Sequence, residues 1–165
     1  RIPAKDSDVG GALVSSSNPG ATNWPPPSYS PDYGLFFLPV AESWSMYYLS
    51  EMDPRGAMGL GGIDEISLSN TNYLKAIDPK TGKVAWKVKY PSTGGNGSGL
   101  LATAGRLLFS GDPAGNLVAR DPATGKPLWH AHLGTGTNAP ETFLLDGEQY
   151  VVVSSGDTMF AFKLY

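Results

Sequence analysis

An eleven-residue segment occurs twice in this chain, as Ala76-Ile-Asp-Pro-Lys-Thr-Gly-Lys-Val-Ala-Trp86 and as Ala119-Arg-Asp-Pro-Ala-Thr-Gly-Lys-Pro-Leu-Trp129. The copies agree at Ala, Asp, Pro, Thr, Gly, Lys and Trp, and their tryptophans are 43 residues apart. A period of this length is typical of β-propeller blades, each built of about four strands. The repeat therefore predicts consecutive propeller blades, with two unrelated hairpins as the alternative.

Each copy has the sequence of a β-hairpin. The residues before Asp-Pro are strand-like, Asp-Pro-x-Thr-Gly is a tight-turn sequence, and Lys-x-x-Trp begins the returning strand. Proline fixes φ at the second turn position, and glycine tolerates a positive φ near the end of the turn. The tryptophan then lies on the outer strand, where we expect its ring to stack on the turn of a neighbouring blade and join the two blades.

Turn signals divide the rest of the chain into further short strands. Four of them follow one another between Gly99 and Ala131, which makes one complete blade, whereas Glu141–Lys163 holds three strands and no fourth. The predicted fold class is all-β: about two blades plus a three-stranded partial blade of an eight-bladed propeller. The predicted organisation is an irregular lead-in over 1–20 and propeller blades over 21–165, at about 21–90, 97–133 and 139–164.

The first blade is predicted to carry an insertion. Leu35–Leu38 and Ser45–Ser50 are interpreted as two separate strands, and the glycine-rich stretch Glu51–Ser69 is too long for a hairpin turn. We expect this stretch to lie between the second and third strands of the blade. A short strand is predicted at Ala12–Val14. Pro91–Gly99 is a glycine-rich link without a Walker or GxGxxG pattern, which argues against a phosphate site.

Composition excludes several classes of function. The chain has 165 residues, 41% of them hydrophobic, with 21 Gly and 14 Pro, which is typical of a turn-rich all-β protein. A net charge of −3 argues against nucleic acid or an anionic membrane as partner. No apolar run approaches the roughly 18 residues that span a bilayer. The absence of cysteine excludes disulfides and thiolate metal sites within this chain. The opening Arg1-Ile-Pro reads as mid-sequence, so we expect a fragment or a processed product.

Candidate catalytic and metal-binding side chains are few. His130 and His132 lie two residues apart after Trp129, but the chain has no third histidine and their strand is predicted to be outermost. We therefore predict no metal site and assign no catalytic residue. The scattered carboxylates are interpreted as solvated surface groups: Asp6, Asp8, Asp53, Asp64 and Glu65.

The three-stranded unit at the end of the chain leaves a strand edge unpaired. Apolar edges of this kind invite association, and propellers avoid them by closing the ring with a strand from elsewhere in the chain. No convincing closing strand is present in residues 1–20. The rest of a propeller, or another chain, is therefore expected as a partner.

The paired Asp-Pro-x-Thr-Gly-Lys-x-x-Trp segments resemble the tryptophan-docking repeats of the quinoprotein alcohol dehydrogenases, periplasmic enzymes that use pyrroloquinoline quinone (PQQ). Three further stretches resemble landmarks of the last third of that family, in the same order. They are Thr22-Asn-Trp-Pro-Pro26, Gly99-Leu-Leu-Ala-Thr-Ala-Gly-Arg-Leu-Leu-Phe-Ser-Gly111 and Ala139-Pro-Glu-Thr-Phe-Leu-Leu-Asp-Gly-Glu-Gln-Tyr-Val-Val-Val153. The Trp repeat alone also fits other eight-bladed propellers, such as outer-membrane assembly lipoproteins.

The resemblance implies cofactor contacts at four positions. An Asn before the proline-rich turn reaches the quinone in this family, and the matching residue is Asn23, followed by Trp24. From the residues alone, a turn cap before the prolines is the favoured interpretation of Asn23. The family's Trp-Gly-Gly near the cofactor is replaced here by Asn96-Gly-Ser-Gly99, so a backbone contact from Gly97 or Ser98 is the remaining possibility.

The resemblance also implies an activity for the full-length protein. That protein would use PQQ and calcium to oxidise an alcohol to an aldehyde or ketone, and it would pass electrons to a cytochrome c or a quinone. The calcium ligands and the catalytic base of the family come from earlier blades, so this chain alone is expected to bind neither cofactor well and to be inactive. The alternative is a propeller scaffold without a cofactor, for protein binding or outer-membrane assembly.

Overall fold

The computed structural model describes residues 12–17, 19–49, 63–90 and 98–163. All regular structure in these ranges is β-strand, so the all-β prediction is confirmed. The strands are β1 Ala12–Val14, β2 Ser28–Ser30, β3 Leu35–Leu49, β4 Ile63–Ile77, β5 Val84–Lys89, β6 Leu100–Ala102, β7 Leu108–Gly111, β8 Asn116–Arg120, β9 Pro127–His132, β10 Glu141–Leu145, β11 Glu148–Ser155 and β12 Thr158–Lys163.

The chain divides into two compact units, one of residues 1–21 and 41–70 and the other of residues 22–40 and 71–165. In its described residues, the larger unit contains three antiparallel sheets. Their strand orders are β2-β3-β4-β5, β6-β7-β8-β9 and β10-β11-β12, with only parts of β3 and β4 in this unit. Two four-stranded blades and one three-stranded sheet are therefore present, as predicted.

In the smaller unit, β1 pairs antiparallel with the second half of β3, so the strand predicted at Ala12–Val14 is confirmed. Alternate side chains face opposite ways: Ser43 and Ser45 are buried, whereas Trp44 is 47% exposed. The Ser43 hydroxyl accepts a hydrogen bond from the backbone N–H of Ser17 at 2.9 Å.

The two Asp-Pro-x-Thr-Gly turns are the same structure. In each, the Asp carbonyl accepts the Gly N–H at 2.8 Å, and Gly82 and Gly125 have φ of 70° and 73°. The carboxylates of Asp78 and Asp121 accept a backbone N–H two residues on, at 2.8 Å, and the threonine hydroxyl at 2.9 and 3.0 Å. These bonds help lower the pKa of Asp78, with the backbone N–H of Lys80 as the largest cause. The aspartate and threonine side chains therefore stabilise the turn through hydrogen bonds, in addition to the backbone restriction by proline and glycine.

Trp86 connects the first sheet to the second. Its indole Nε1–H donates to the carbonyl of Pro122 at 2.9 Å, and its ring lies so close to Gly125 that a Cβ there would be 2.7 Å from the ring. Pro122 and Gly125 belong to the turn between β8 and β9, so the ring lies on the turn of the neighbouring sheet, where the repeat predicted it. Phe37 also packs against the indole ring, with ring centroids 5.8 Å apart.

Two apolar clusters fill the spaces between successive sheets. The first lies between the first and second sheets around Phe37, Leu74 and Leu108, each with no exposed surface. The second lies between the second and third sheets around Phe109, Leu117 and Val153. Burial of large aliphatic and aromatic side chains is the dominant stabilising contribution between such sheets, at about 2 kcal/mol for each fully buried side chain.

The strands of the first blade are longer than predicted. Leu35–Leu38 and Ser45–Ser50 were expected as two strands, but Leu35–Leu49 is one continuous strand. The proline at position 39 has no backbone N–H to donate to a neighbouring strand. However, the pairing of β3 with β2 ends at Phe37, so the missing N–H of Pro39 is not needed in that pairing.

The insertion also differs from the prediction. Part of the stretch Glu51–Ser69, which was expected to be a loop, belongs to strand β4, which begins at Ile63. The reason is that β3 and β4 are neighbours in one sheet. Antiparallel pairing provides hydrogen-bond partners for the backbone N–H and C=O groups of a segment whose composition alone predicts a loop. Residues 51–62 lie outside the described residues.

Tyr90 gives a pH-dependence prediction. Its hydroxyl donates to the Gly111 carbonyl at 3.5 Å, and burial raises the pKa of Tyr90 to about 12. Because the folded pKa exceeds the unfolded value of about 10, this group's contribution to stability is complete below pH 10 and is lost as the pH rises towards 12. We expect urea denaturation at pH 8 and pH 11 to show a smaller loss of stability in Tyr90→Phe than in the wild type. An equal loss would show that Tyr90 does not titrate as a buried group.

Candidate functional site

Three segments that lead into the first strands of the three sheets meet at one point. The carbonyl of Pro26 accepts the N–H of Leu100 at 2.9 Å, which joins the segment before β2 to the start of β6. A Cβ built on Gly99 would lie 2.5 Å from both a side-chain carbon of Pro26 and the Cβ of Ala139. We call this contact of Pro26, Gly99 and Ala139 the three-sheet junction. It brings together parts of the chain that are far apart in sequence.

Asn23 and Trp24 lie three and two residues before the junction. Both side chains are exposed, and Trp24 is 81% exposed, an unusually large value for an indole. An exposed amide beside an exposed aromatic ring provides a hydrogen-bonding group and a flat apolar face, the combination that binds a planar polar ligand. The role predicted for these two residues stays a prediction.

Ser98 lies next to the junction but faces inward. It is 4% exposed, its hydroxyl donates to the Gly99 carbonyl at 2.9 Å, and it accepts the Gly111 N–H at 2.6 Å. The side chain therefore ties the start of β6 to the end of β7. The predicted backbone contact of Ser98 stays a prediction, and Gly97 lies outside the described residues.

The structure singles out a further segment at the junction, Thr137-Asn-Ala-Pro140, directly before β10. It repeats the pattern Thr-Asn-x-Pro of Thr22-Asn-Trp-Pro25, directly before the Pro26 contact. The Oδ1 atom of Asn138 accepts the N–H of Ser154 at 2.9 Å, and its backbone N–H donates to the Ser154 carbonyl at 3.1 Å. Sequence reasoning missed this pair because four residues are a weak signal until the fold places both copies at one point.

The predicted absence of a metal site at the two histidines stays a prediction. His130 and His132 lie on β9, the last strand of its sheet, so their predicted outer position is confirmed. His132 Nδ1 is 3.1 Å from Asn116 Oδ1. In the described part of the chain, no three His, Cys, Asp or Glu side chains come together. Of the scattered carboxylates, Glu65 is exposed, whereas Asp6, Asp8 and Asp53 lie outside the described residues.

A groove of about 510 Å³ lies between the second and third sheets, at the end opposite the junction. Its floor is apolar and includes Trp129 and Phe162, whose rings meet edge to face at 5.4 Å. Trp129 is 43% exposed, and the Lys163 and Glu148 side chains at the rim form an ion pair at 2.7 Å. This ion pair is the main reason for the lowered pKa of Glu148.

The sheets, the turns and Trp86 define a chain of β-propeller type. The family model PQQ_2, described as outer membrane protein assembly factor BamB, matches residues 70–164, and the chain belongs to this family. Within the described residues no helix is long and apolar enough to cross a membrane.

The relatives confirm the resemblance to quinoprotein alcohol dehydrogenases. Quinoprotein alcohol dehydrogenase PedH of Pseudomonas putida is 38% identical over 161 residues, which are 93% of this chain and 26% of the relative. The 1-butanol dehydrogenase (quinone) of Thauera butanivorans is also 38% identical, over 93% of this chain and 25% of its own length. The chain thus spans about a quarter of the curated relatives that it matches.

Solved structures agree with this assignment. Quinohemoprotein alcohol dehydrogenase ADHIIG from Pseudomonas putida HK5 superposes with a TM-score of 0.78 at 31% identity, over 89% of this chain and 24% of that one. A europium-containing methanol dehydrogenase superposes with a TM-score of 0.74 at 29% identity, over 86% of this chain and 26% of that one.

Proposed function

We propose that this chain is the C-terminal part of a PQQ-dependent alcohol dehydrogenase that oxidises an alcohol to an aldehyde or ketone. The observation that carries the proposal is the exposed Asn23 and Trp24 pair beside the three-sheet junction, in a chain whose relatives are quinoprotein alcohol dehydrogenases. A propeller scaffold has no structural need for an indole that is 81% exposed next to a proline-rich turn.

The residues at the junction fit one edge of a quinone cofactor. When bound, PQQ supplies the acceptor for the hydride of the alcohol. Asn23 would hydrogen-bond an oxygen of the cofactor, and Trp24 would cover part of the site and exclude water. Gly97 and Ser98 would add backbone contacts from the second sheet.

The same residues do not fit a metal ion, because the described part of the chain offers no group of three acidic or imidazole ligands. We propose that the metal ligands and the catalytic base lie elsewhere in a longer protein, and that this chain alone is inactive. Calcium is the metal that the family resemblance implies. The europium in one structural neighbour makes a lanthanide a second metal to test in the same site.

We further propose that the whole enzyme is periplasmic and passes its electrons to a cytochrome c or a quinone. Support for haem as a redox partner of this fold comes from the relatives named quinohemoprotein alcohol dehydrogenase.

Further polypeptide, beyond the sheets described above, is needed to complete the propeller ring. No described strand pairs with the outer edge of β12. Trp129, which lines the groove between the second and third sheets, is 43% exposed. Trp86, the equivalent residue one blade earlier, is covered by the turn between β8 and β9. We propose that the rest of the propeller covers Trp129 in the same way, with another chain as the alternative source of that cover.

A non-enzymatic scaffold is the second candidate function. It is favoured by the description of the matching family model as an outer-membrane assembly factor. The two candidates differ in one property, since only the dehydrogenase binds PQQ.

The decisive experiment reconstitutes the longer protein with PQQ and either calcium or a lanthanide, and then measures dye reduction with a series of primary and secondary alcohols. We expect alcohol-dependent reduction that requires both PQQ and metal. A protein that neither binds PQQ nor reduces the dye with any alcohol would favour the scaffold.

Replacing Asn23 with alanine is expected to weaken PQQ binding by about tenfold, because one hydrogen bond to a polar or charged cofactor atom contributes roughly 1–2 kcal/mol. The measurement is a titration of the apoprotein with PQQ, followed by tryptophan fluorescence. Asn70→Ala, at another exposed asparagine on β4, is the control and should leave the affinity unchanged. Equal affinities for wild type and Asn23→Ala would remove Asn23 from the site.

A further inference from the structure

We infer that Asn138 is a second cofactor-binding residue at the three-sheet junction and that its side-chain amide donates a hydrogen bond to an oxygen of the ligand. The inference rests on the proposed function, because it assigns a contact to the same site. It starts from the repeated pattern: Thr-Asn-x-Pro precedes the first strand of the first sheet, with Asn23, and that of the third sheet, with Asn138.

The three-sheet junction brings the segment that contains Asn23 close to the segment that contains Asn138. Asn138 directly precedes Ala139, and Asn23 lies three residues before Pro26, so each is within a few residues of the contacts at Gly99. The segments enter from the third and first sheets, on either side of the start of β6. A ligand over the junction would therefore meet one asparagine from each side.

The amide of Asn138 is held in one orientation. Its Oδ1 atom accepts the N–H of Ser154 at 2.9 Å, which assigns the oxygen to the Ser154 side and turns the Nδ2 group away from it. The backbone N–H of Asn138 also donates to Ser154, at 3.1 Å, so the residue is fixed at two points. The side chain is exposed, and Nδ2 forms no hydrogen bond with the residues that the structure describes.

The fixed Nδ2 group of Asn138 favours one class of ligand atom. Two N–H groups whose direction is already set lose little conformational entropy on binding, so they favour an acceptor such as a carboxylate or carbonyl oxygen. PQQ carries both kinds of oxygen. The bond to Ser154 stabilises the segment before β10, and it also holds the two donors in one direction, as a binding residue requires.

The substitution Asn138→Asp tests the donor without removing the anchor. Aspartate keeps an oxygen for the Ser154 N–H and has nearly the same shape, but it replaces both N–H donors with a charged acceptor. We expect the longer protein with this change to bind PQQ at least tenfold more weakly, measured by titration of the apoprotein in the presence of metal. Thermal unfolding of the apoprotein should remain close to that of the wild type.

Asn70→Asp is the matched control, because it adds the same charge at an exposed asparagine on β4 and is expected to leave the affinity unchanged. Asn138→Ala, which also loses the anchor, should weaken binding and lower stability together. Equal PQQ affinity in wild type and Asn138→Asp would overturn the inference while leaving the proposed function intact. A wild-type protein that does not bind PQQ would instead contradict the proposed function itself.

Discussion

Replacement of Trp86 by alanine is expected to lower the free energy of unfolding of this chain by about 3–5 kcal/mol, the usual cost of truncating a packed tryptophan. The side chain contacts Phe37 in its own sheet and Gly125 in the next, and its Nε1–H donates to the Pro122 carbonyl. Its loss therefore removes apolar contact between two sheets and leaves a carbonyl without its donor. Chemical denaturation followed by circular dichroism measures the effect.

Two further variants separate the contributions. Trp86→Phe keeps most of the ring contact and loses the hydrogen bond, so it should cost about 1 kcal/mol. Trp129→Ala is the matched control one blade later. Trp129 is 43% exposed and its described ring contact is with Phe162, so about 1 kcal/mol is expected. Similar losses for Trp86→Ala and Trp129→Ala would contradict the idea that the neighbouring turn makes the difference.

The hairpins of the repeat were the most predictable part of the fold. Proline and glycine restrict the backbone locally, so Asp-Pro-x-Thr-Gly identifies a turn without knowledge of the rest of the chain. The sequence did not reveal what the Asp78 and Thr81 side chains do. They form a small network of hydrogen bonds inside the turn, and such a network is recognisable only once the turn geometry is known.

The strands of the first blade were less predictable because their length depends on pairing. β3 runs through Pro39 and β4 begins at Ile63, inside a stretch whose composition suggested a loop. A neighbouring strand supplies hydrogen-bond partners that no local pattern records. Residues in the middle of a long hairpin are therefore placed by their partner strand rather than by their own propensity.

The candidate site, like the fold, was only partly predictable from the sequence. The family resemblance drew attention to Asn23 and Trp24, and the structure places both, exposed, beside the junction. Asn138 carried no comparable signal, because its importance depends on the contact between Ala139 and Gly99. Contacts between segments about 40 residues apart or more are the part of a site that a single sequence does not specify.

The largest effect on the candidate site is expected from Gly99→Val. A Cβ at this position would lie 2.5 Å from carbon atoms of both Pro26 and Ala139, and neither atom belongs to a flexible side chain. The three segments must then separate, which we expect to cost about 3 kcal/mol of stability. In the longer protein the same separation moves Asn23 and Asn138 apart, so PQQ affinity should fall by more than either asparagine variant alone produces.

Gly136→Val is the control for this prediction. Gly136 lies on the segment before β10, and a Cβ there would have no atom within 4 Å, so the added side chain should fit without strain. Thermal unfolding and PQQ titration of both variants measure the two consequences. If Gly99→Val lowered stability but left PQQ affinity unchanged, the junction would be a packing contact alone, and the cofactor would have to be held by residues away from it. Loss of both together, with Gly136→Val unaffected, is the result that the convergence of the three segments requires.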